Sequence, residues 1–324
     1  MPPAVICLGA INLDLQFQVE DLDGFLRAWG TGLRRGGQET FTPPEEARLL
    51  ELLARYGCPA GRCGGGMAGN TAYALACMGI PVALVGRVGQ DAAGEFLKAG
   101  LAGVDLSHVV TQGESGRAYI LHDPQGERTI LLAPNTNNDL QEHDLPWPAL
   151  ESAPYLHLTA FAGDGPLAVQ QAVARRVPPQ VRLSLDPGEL YGRRGWQPIE
   201  GILDHLETLL VTETEWSLLG GEPTVHPFWA PPVVIIKRGA RGARLLTPPR
   251  YLDFPVELFT DLVDTLGAGD VFAAGYLDGR LAGLHLNACV RLGNRAAAVS
   301  LRGAGRDRYP DRTFLERQVQ ALQA

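Results

Sequence analysis

Hydrophobic positions along the chain fall into two alternating patterns. Short continuous apolar runs recur at Val5-Ile6-Cys7-Leu8, Val82 to Val85, Tyr155 to Thr159, Val181 to Leu185, Leu209-Leu210-Val211 and Val233-Val234-Ile235-Ile236. Their length and β-branched content predict strands buried on both faces. Helical spacing fills the segments between. Thr42-Pro43-Pro44-Glu45 reads as a capping box with proline in the first turn, opening a helix to about Tyr56, with Gly57 where a C-terminal cap belongs. Further helices are expected at Pro166–Arg176, Ile199–Leu206, Leu286–Ser300 and after Pro310. Strands alternating with helices predict an α/β fold with a mostly parallel central sheet. One stretch breaks the alternation. Ala118 to His122 and Glu127 to Leu132 flank Asp123-Pro124-Gln125-Gly126, the signature of a type I turn, and predict a β-hairpin placed to act as a lid. Residues 20–40 are polar and glycine-rich and read as loop with some strand.

Composition narrows the class. At 324 residues the chain can bury a large core without staples. A net charge of -8, from 28 basic and 36 acidic residues, argues against a nucleic-acid partner. The five cysteines are scattered with no close pair, which fits a reducing, cytoplasmic compartment and neither a disulfide framework nor a zinc site. No apolar run reaches membrane-spanning length, and no signal-peptide pattern opens the sequence.

The chemistry concentrates in Asp264-Thr265-Leu266-Gly267-Ala268-Gly269-Asp270, which runs directly into the apolar stretch Val271 to Leu277. Glycines allow close backbone approach, and the first amides of a helix are unpaired donors at the positive end of its dipole, an anion site. A carboxylate, Asp270, beside such a site repels its ligand unless it takes a proton from a group next to the anion. That pairing points to phosphoryl transfer, with Asp270 as base; a plain helix cap is the alternative. Gly64-Gly65-Gly66-Met67-Ala68-Gly69-Asn70 is a second glycine-rich helix start, where Asn70 suits sugar-type hydroxyls or simply caps the helix. Asn12 and Asp14, two residues apart after the first strand, can face one side and bind hydroxyls, or serve as turn residues. Glu215 lies in the first turn of a helix, suiting either its dipole or a magnesium-bound water. Lys237-Arg238-Gly239-Ala240-Arg241-Gly242 follows a strand and suggests phosphate contact or a hairpin turn. Arg117 and Arg128, on the hairpin, can face an anion or solvent. No P-loop and no dinucleotide fingerprint are present.

Taken together, these motifs resemble the ribokinase-like (PfkB) carbohydrate kinases over nearly the whole chain. Asp264-Thr265-x-Gly267-Ala268-Gly269-Asp270 is similar to the family's C-terminal signature. Gly65-Gly66-x-x-x-Asn70, followed by Val85-Gly86-x-Val88-Gly89-x-Asp91, is similar to its N-terminal signature, and Gly9-x-x-Asn12-x-Asp14 to its opening substrate motif. The resemblance implies a single three-layer domain over residues 1–324, a mostly parallel sheet flanked by helices, with a small β-sheet lid from segments near 13–36 and 112–134. It implies ATP as donor with Mg2+, and a monovalent cation (K+) near Asp264. Asp270 would be the base, with the amides from Gly267 through Ala268 and Gly269 to Asp270 as anion hole. Asn12, Asp14, Gly65, Gly66 and Asn70 would hold a sugar-like acceptor. Lys237, Gly239, Gly242, Thr265 and Asn294 would hold the nucleotide, and Glu215 the metal. The lid strands can pair across a homodimer. Departures bear on the acceptor: Thr212 replaces the family asparagine of N-x-x-E, Met67 a ribokinase lysine, and Thr159 a ribokinase glutamate. The insertion Gly32–Cys63 and Gly69-Asn70-Thr71-Ala72 are closer to nucleoside kinases. A sugar kinase is therefore the leading expectation, a nucleoside kinase the second, and a non-catalytic ligand-binding relative the third.

Overall fold

The computed structural model describes residues 2–221, 232–247, 250–256 and 261–323. The first strand, Val5–Leu8, lies inside a nine-stranded sheet, hydrogen-bonded in parallel to Val82–Val88 on one side and Tyr155–Thr159 on the other. Beyond the latter come Arg182–Asp186, Thr208–Thr212 and Val233–Lys237, all parallel, then Ala243–Thr247 and Arg250–Phe254, both antiparallel. Val109–Thr111 closes the opposite edge. Alternation along the first strand divides the interior. Val5 and Cys7 enter one core with helices Met67–Cys77, Ala268–Leu281 and Leu286–Ser300, while Ile6 and Leu8 enter the other with helix Asp164–Arg176. Both faces of the sheet are thus covered, which is why its strands read as unbroken apolar runs.

Parallel strands aim their carboxyl ends to one edge, where ligands collect in α/β sheets. Over that edge stands a five-stranded sheet, ordered Gln38–Thr40, Arg128–Ala133, Gly116–His122, Asn12–Val19 and Gly57–Gly65. The expected hairpin is present, with Gly126 N–H donating to the Asp123 carbonyl at 3.0 Å. The outer face of this sheet, carrying Tyr119, Leu121 and Leu131, packs on helices Leu22–Trp29 and Pro43–Tyr56. The inner face, carrying Ala118, Ile120 and Leu132, turns toward the carboxyl ends of the large sheet.

Three local readings differ from expectation. Within 20–40, Leu22, Phe25, Leu26 and Trp29 form a helical stripe, and the Asp21 carboxylate accepts from Gly24 N–H at 2.8 Å, so a helix forms in a segment that polarity alone marked as loop. The Thr42–Glu45 capping box forms as expected, the Glu45 carboxylate accepting from Thr42 N–H at 2.7 Å. Gly57 is the C-cap as expected, its N–H donating to the Leu53 carbonyl, but it is extended at φ -116 and opens an edge strand whose exposed Cys58-Pro59-Ala60-Gly61 lacks the apolar alternation of a strand. The helix expected over Ile199–Leu206 is a short turn, Gln197–Ile199, followed by Glu200–Leu203. No described helix is long and apolar enough to cross a membrane.

A buried ion pair ties the small sheet's return to the large sheet. Arg87, 6 % exposed, donates to Asp144 at 2.7 Å, to Gln112 at 3.0 Å and to Thr136 at 3.1 Å. Replacing one partner strands the other as an unpaired buried charge. Arg87→Met is therefore expected to lose about 3–5 kcal/mol of unfolding free energy in urea titrations; a loss below about 1 kcal/mol, the worth of an exposed pair, would show that this pair does not anchor the segment.

Candidate active site

Helix Ala268–Leu281 begins at Gly267, whose φ of 73 is left-handed. A Cβ there would lie 2.5 Å from the Tyr309 hydroxyl, so glycine is required twice over, by conformation and by space. Asp270, in the first turn, is 8 % exposed and accepts from Asn70 Nδ2 at 2.8 Å. Asn70 stands in the first turn of the other glycine-led helix, Met67–Cys77. Its N-cap, Gly66, has φ 86, and a Cβ would lie 2.3 Å from the Ala10 carbonyl, so this turn too admits only glycine. The side-chain oxygen of Asn70 accepts from Arg306 Nη2 at 2.9 Å and Nε at 3.2 Å. Arg306 thereby orients the amide so that its NH2 faces Asp270.

At this helix start, Asp270 N–H donates to the Gly267 carbonyl at 3.0 Å and Ala268 N–H to the Thr265 carbonyl at 3.4 Å. The amides of Gly267 and Gly269 donate to nothing among the described residues, leaving two donors at the positive end of the dipole. Lys237 Nζ lies 3.3 Å from where a Gly269 Cβ would stand, and donates to Asp186 Oδ2 at 2.5 Å. Burial pulls the Lys237 ammonium down, but Asp186 and Glu215 outweigh it and hold its pKa above the usual value. Burial, then the charge of Asp186, push Asp270 up to about 7 against the Asn70 hydrogen bond, Lys237 and Arg306. Asp14 also reaches about 7, raised by burial and by Asp270, with Arg306 and Arg128 opposing. Burial and Asp186 raise Glu215 as well.

One cavity of about 330 Å³ collects Asn12, Asp14, Gly66, Asn70, Glu215, Gly267 and Asp270 between the two sheets. Asn12 and Asp14 sit on one strand with one residue between them, and both reach the cavity. Gly65 pairs with Asn12 in the small sheet and lies directly behind Asp14, where a Cβ would stand 2.1 Å from the carboxylate oxygens. Thr265 is exposed beside the helix start. Gly239 and Gly242 close a tight turn, Gly242 N–H donating to the Gly239 carbonyl at 2.9 Å. Asn294 is buried, its Nδ2 donating to the Phe254 carbonyl at 3.0 Å. Glu215 and Thr212 form a reciprocal capping box, so the threonine in the asparagine position still grips the glutamate, with Thr212 N–H donating to it at 2.7 Å. Asp264 accepts from Leu266 and Gly305 N–H groups, each at 2.9 Å. Met67 lines the cavity, whereas Thr159 is buried against Gly9.

Four residues entered the site without a local signal. Asn137 brackets Ile11, accepting from its N–H and donating to its carbonyl at 3.0 Å each, and donates to Asn12 at 2.9 Å. Arg306, Tyr309 and Asp186 come from loops or strand ends distant in sequence. Asp186-Pro187-Gly188 follows a buried strand at the sheet's ligand edge, and that placement is the signal that could have found Asp186.

Comparison with known proteins fits this arrangement. The sequence matches the pfkB family carbohydrate kinase profile over residues 62–310. It is 32 % identical to an uncharacterized sugar kinase of Archaeoglobus fulgidus over 76 % of this chain and 99 % of that one. It is 31 % identical to an ATP-dependent ribose-1-phosphate kinase of Halopiger xanaduensis, over 66 % of this chain and 72 % of that one. The fold matches adenosine kinase from Sinorhizobium meliloti with a TM-score of 0.83 at 20 % identity, covering 99 % and 100 % of the two chains. It matches Arabidopsis thaliana ribokinase, solved with ribose and ATP, with a TM-score of 0.75 at 23 % identity, covering 99 % of each. The chain belongs to the pfkB family of carbohydrate kinases, with the ribokinase-like fold of a mostly parallel sheet, flanking helices and a second small sheet. Kinases of this family use ATP.

Carboxyl titration of the protein without ligands, followed by NMR, is expected to place Asp270 near pH 7 and far above an ordinary aspartate. The Asn70 donor favours the ionised form, so Asn70→Leu moves the midpoint to higher pH. The Asp186 charge disfavours it, so Asp186→Asn moves the midpoint down. A wild-type midpoint near 4, the unperturbed aspartate range, would contradict the described environment.

Proposed function

We propose that this protein transfers the terminal phosphoryl group of ATP to a hydroxyl of a sugar or sugar-like molecule, with Asp270 as the base. The observation that carries the reading is the juxtaposition of a buried, raised-pKa carboxylate with the free amides of Gly267 and Gly269 at one helix start. The acceptor hydroxyl binds in the cavity against Asn12, Asp14 and Asn70, backed by Gly65 and Gly66. Asp270 takes its proton as the acceptor oxygen bonds to phosphorus and the bond to the leaving phosphate oxygen breaks. The Gly267 and Gly269 amides, at the head of the Gly267-Ala268-Gly269-Asp270 turn, stabilise charge on the transferring group. A base of pKa near 7 is half ionised at neutral pH, where proton transfer is most effective.

Lys237, adjacent to Gly269, suits the donor phosphates, and the turn of Gly239 and Gly242 continues the same side with Thr265; Asn294 lies further back behind Phe254. Magnesium, when bound, neutralises phosphate charge. Glu215, with Asp186 beside Lys237, offers a carboxylate pair suited to holding its waters, as this ion retains most of its hydration. Among the described residues, no three ligating side chains converge as a direct metal cage. The chain would act as one kinase unit, with the small sheet closing over the acceptor.

Relatives named ribokinase, fructokinase and ribose-1-phosphate kinase support a sugar-type acceptor, and a cytidine kinase among them keeps nucleosides in the screen. Asp270→Asn is expected to bind ATP with little change while kcat falls about 10²–10⁴-fold, the usual worth of general-base assistance. A kcat within about tenfold of wild type would remove Asp270 from that role. Phosphorylation assays over pentoses, hexoses, sugar acids and nucleosides identify the acceptor. Ligand-induced stabilisation without turnover of any acceptor would favour a binding protein over an enzyme.

A further inference from the structure

Two hairpin arginines meet different fates. Arg117 donates to Glu46 at 2.8 Å and is neutralised on the outer side. Arg128 is half-buried, lines the cavity that holds Asp270, and makes no hydrogen bond or ion pair through its guanidinium with any described residue. Its cross-strand neighbour His122 is shifted toward the neutral imidazole, first by burial and then by the charge of Arg128, and no form of an imidazole offers a negative charge. The carboxylate that feels Arg128 is Asp14, whose pKa it lowers without a hydrogen bond or ion pair between them. The Glu189 carboxylate also lines the cavity, but Arg193 donates to it at 2.6 Å and balances it. Gln38, paired in register with Ile130 on the adjoining strand, lines the cavity beside Arg128 and adds an uncommitted amide.

The small sheet sets the spacing. Asp14, Ala118 and Leu132 form one row across three strands, and His122 with Arg128 forms a row four residues farther on. At ~3.3 Å per residue these rows lie roughly 13 Å apart along the strands, with the arginine side chain free to lean back. Ala118, Ile120, Ile130 and Leu132 fill the interval with apolar surface. The cavity therefore carries the carboxylates Asp14 and Asp270 toward one end and, toward the other, a guanidinium whose charge reaches Asp14 but which makes no hydrogen bond or ion pair with either carboxylate. An anionic substituent is repelled from the first and attracted to the second. A guanidinium shielded from water is costly until an anion meets it, and its planar donors match phosphate or carboxylate. The donor's phosphates, placed above at Lys237, Gly267 and Gly269, belong to the Asp270 end of the cavity, away from the Arg128 row of the small sheet.

We propose that the acceptor carries an anionic group, phosphate or carboxylate, remote from the hydroxyl that is phosphorylated, and that Arg128 with Gln38 receives it. This rests on the kinase reading above and specifies its substrate class. The test compares three acceptors with ATP: a neutral pentose, its phosphate monoester and the corresponding sugar acid. Wild type is expected to favour one or both anions over the neutral sugar in kcat/KM by about ten- to hundredfold, the scale of hydrogen bonds to a charged group. Arg128→Gln, verified as folded by its thermal midpoint, should lower the anion-to-neutral ratio by about tenfold or more, and Arg128→Lys should restore part of it. The arm that keeps the preference, phosphate or acid, identifies the group. A wild-type preference for the neutral sugar, or a ratio unchanged in Arg128→Gln, overturns the assignment while leaving the kinase intact. Absence of phosphoryl transfer to every acceptor overturns the kinase reading itself.

Discussion

The hydrogen bond from Asn70 to Asp270, 2.8 Å long and 200 residues apart in sequence, is the contact on which the site depends. Each partner stands in the first turn of a helix led by a glycine of positive φ, so neither can be displaced without disturbing a helix start. Both helices pack into the same core, and Arg306 fixes the amide's orientation from a third segment. The bond favours the ionised carboxylate while burial and Asp186 disfavour it. The balance leaves a carboxyl that exchanges its proton near neutrality, which an exposed aspartate beside a helix start would not do.

Charge around that bond is arranged in opposed sets. Asp14, Asp186, Glu215 and Asp270 are shielded from water, with Lys237, Arg306 and, toward Asp14, Arg128 as the nearby cations. Buried carboxylates in such numbers need compensation, and Lys237 is held charged because two of them surround it. The surplus negative charge sits at the cavity between the two sheets, and the cations sit beside the helix start and the small sheet.

The small sheet contributes shape as much as charge. Its outer face is a core in its own right, built on Phe25, Trp29, Leu49 and Tyr119, so its inner face keeps its register over the large sheet. Arg87 and Asn137 pin the segments that leave it, the first through a buried ion pair and the second through the backbone of Ile11. Because side chains alternate along a strand, that register alone decides that Arg128 faces the cavity and Arg117 does not.

Much of the molecule was legible in the residues. Unbroken apolar runs marked the parallel strands because such strands have no polar face, and the Asp-Pro-x-Gly turn marked the hairpin. Gly267 to Asp270 and Gly66 to Asn70 were visible because a glycine-led helix start is a local arrangement, written in neighbouring residues. What depends on distant partners was not visible. The helix at Leu22–Trp29 hid in a polar stretch, and the edge strand at Gly57–Gly65 lacks a strand's alternation because neither of its faces is buried over Cys58 to Arg62. Asp186, Asn137, Arg306 and Tyr309 carry no motif, since their place is set by where loops land after both sheets form. Sequence by itself determined the fold class and singled out Asp270 at its glycine-led helix start; tertiary structure decided which charges surround it, because electrostatic neighbours are a matter of distance in space and the chain records only distance along itself.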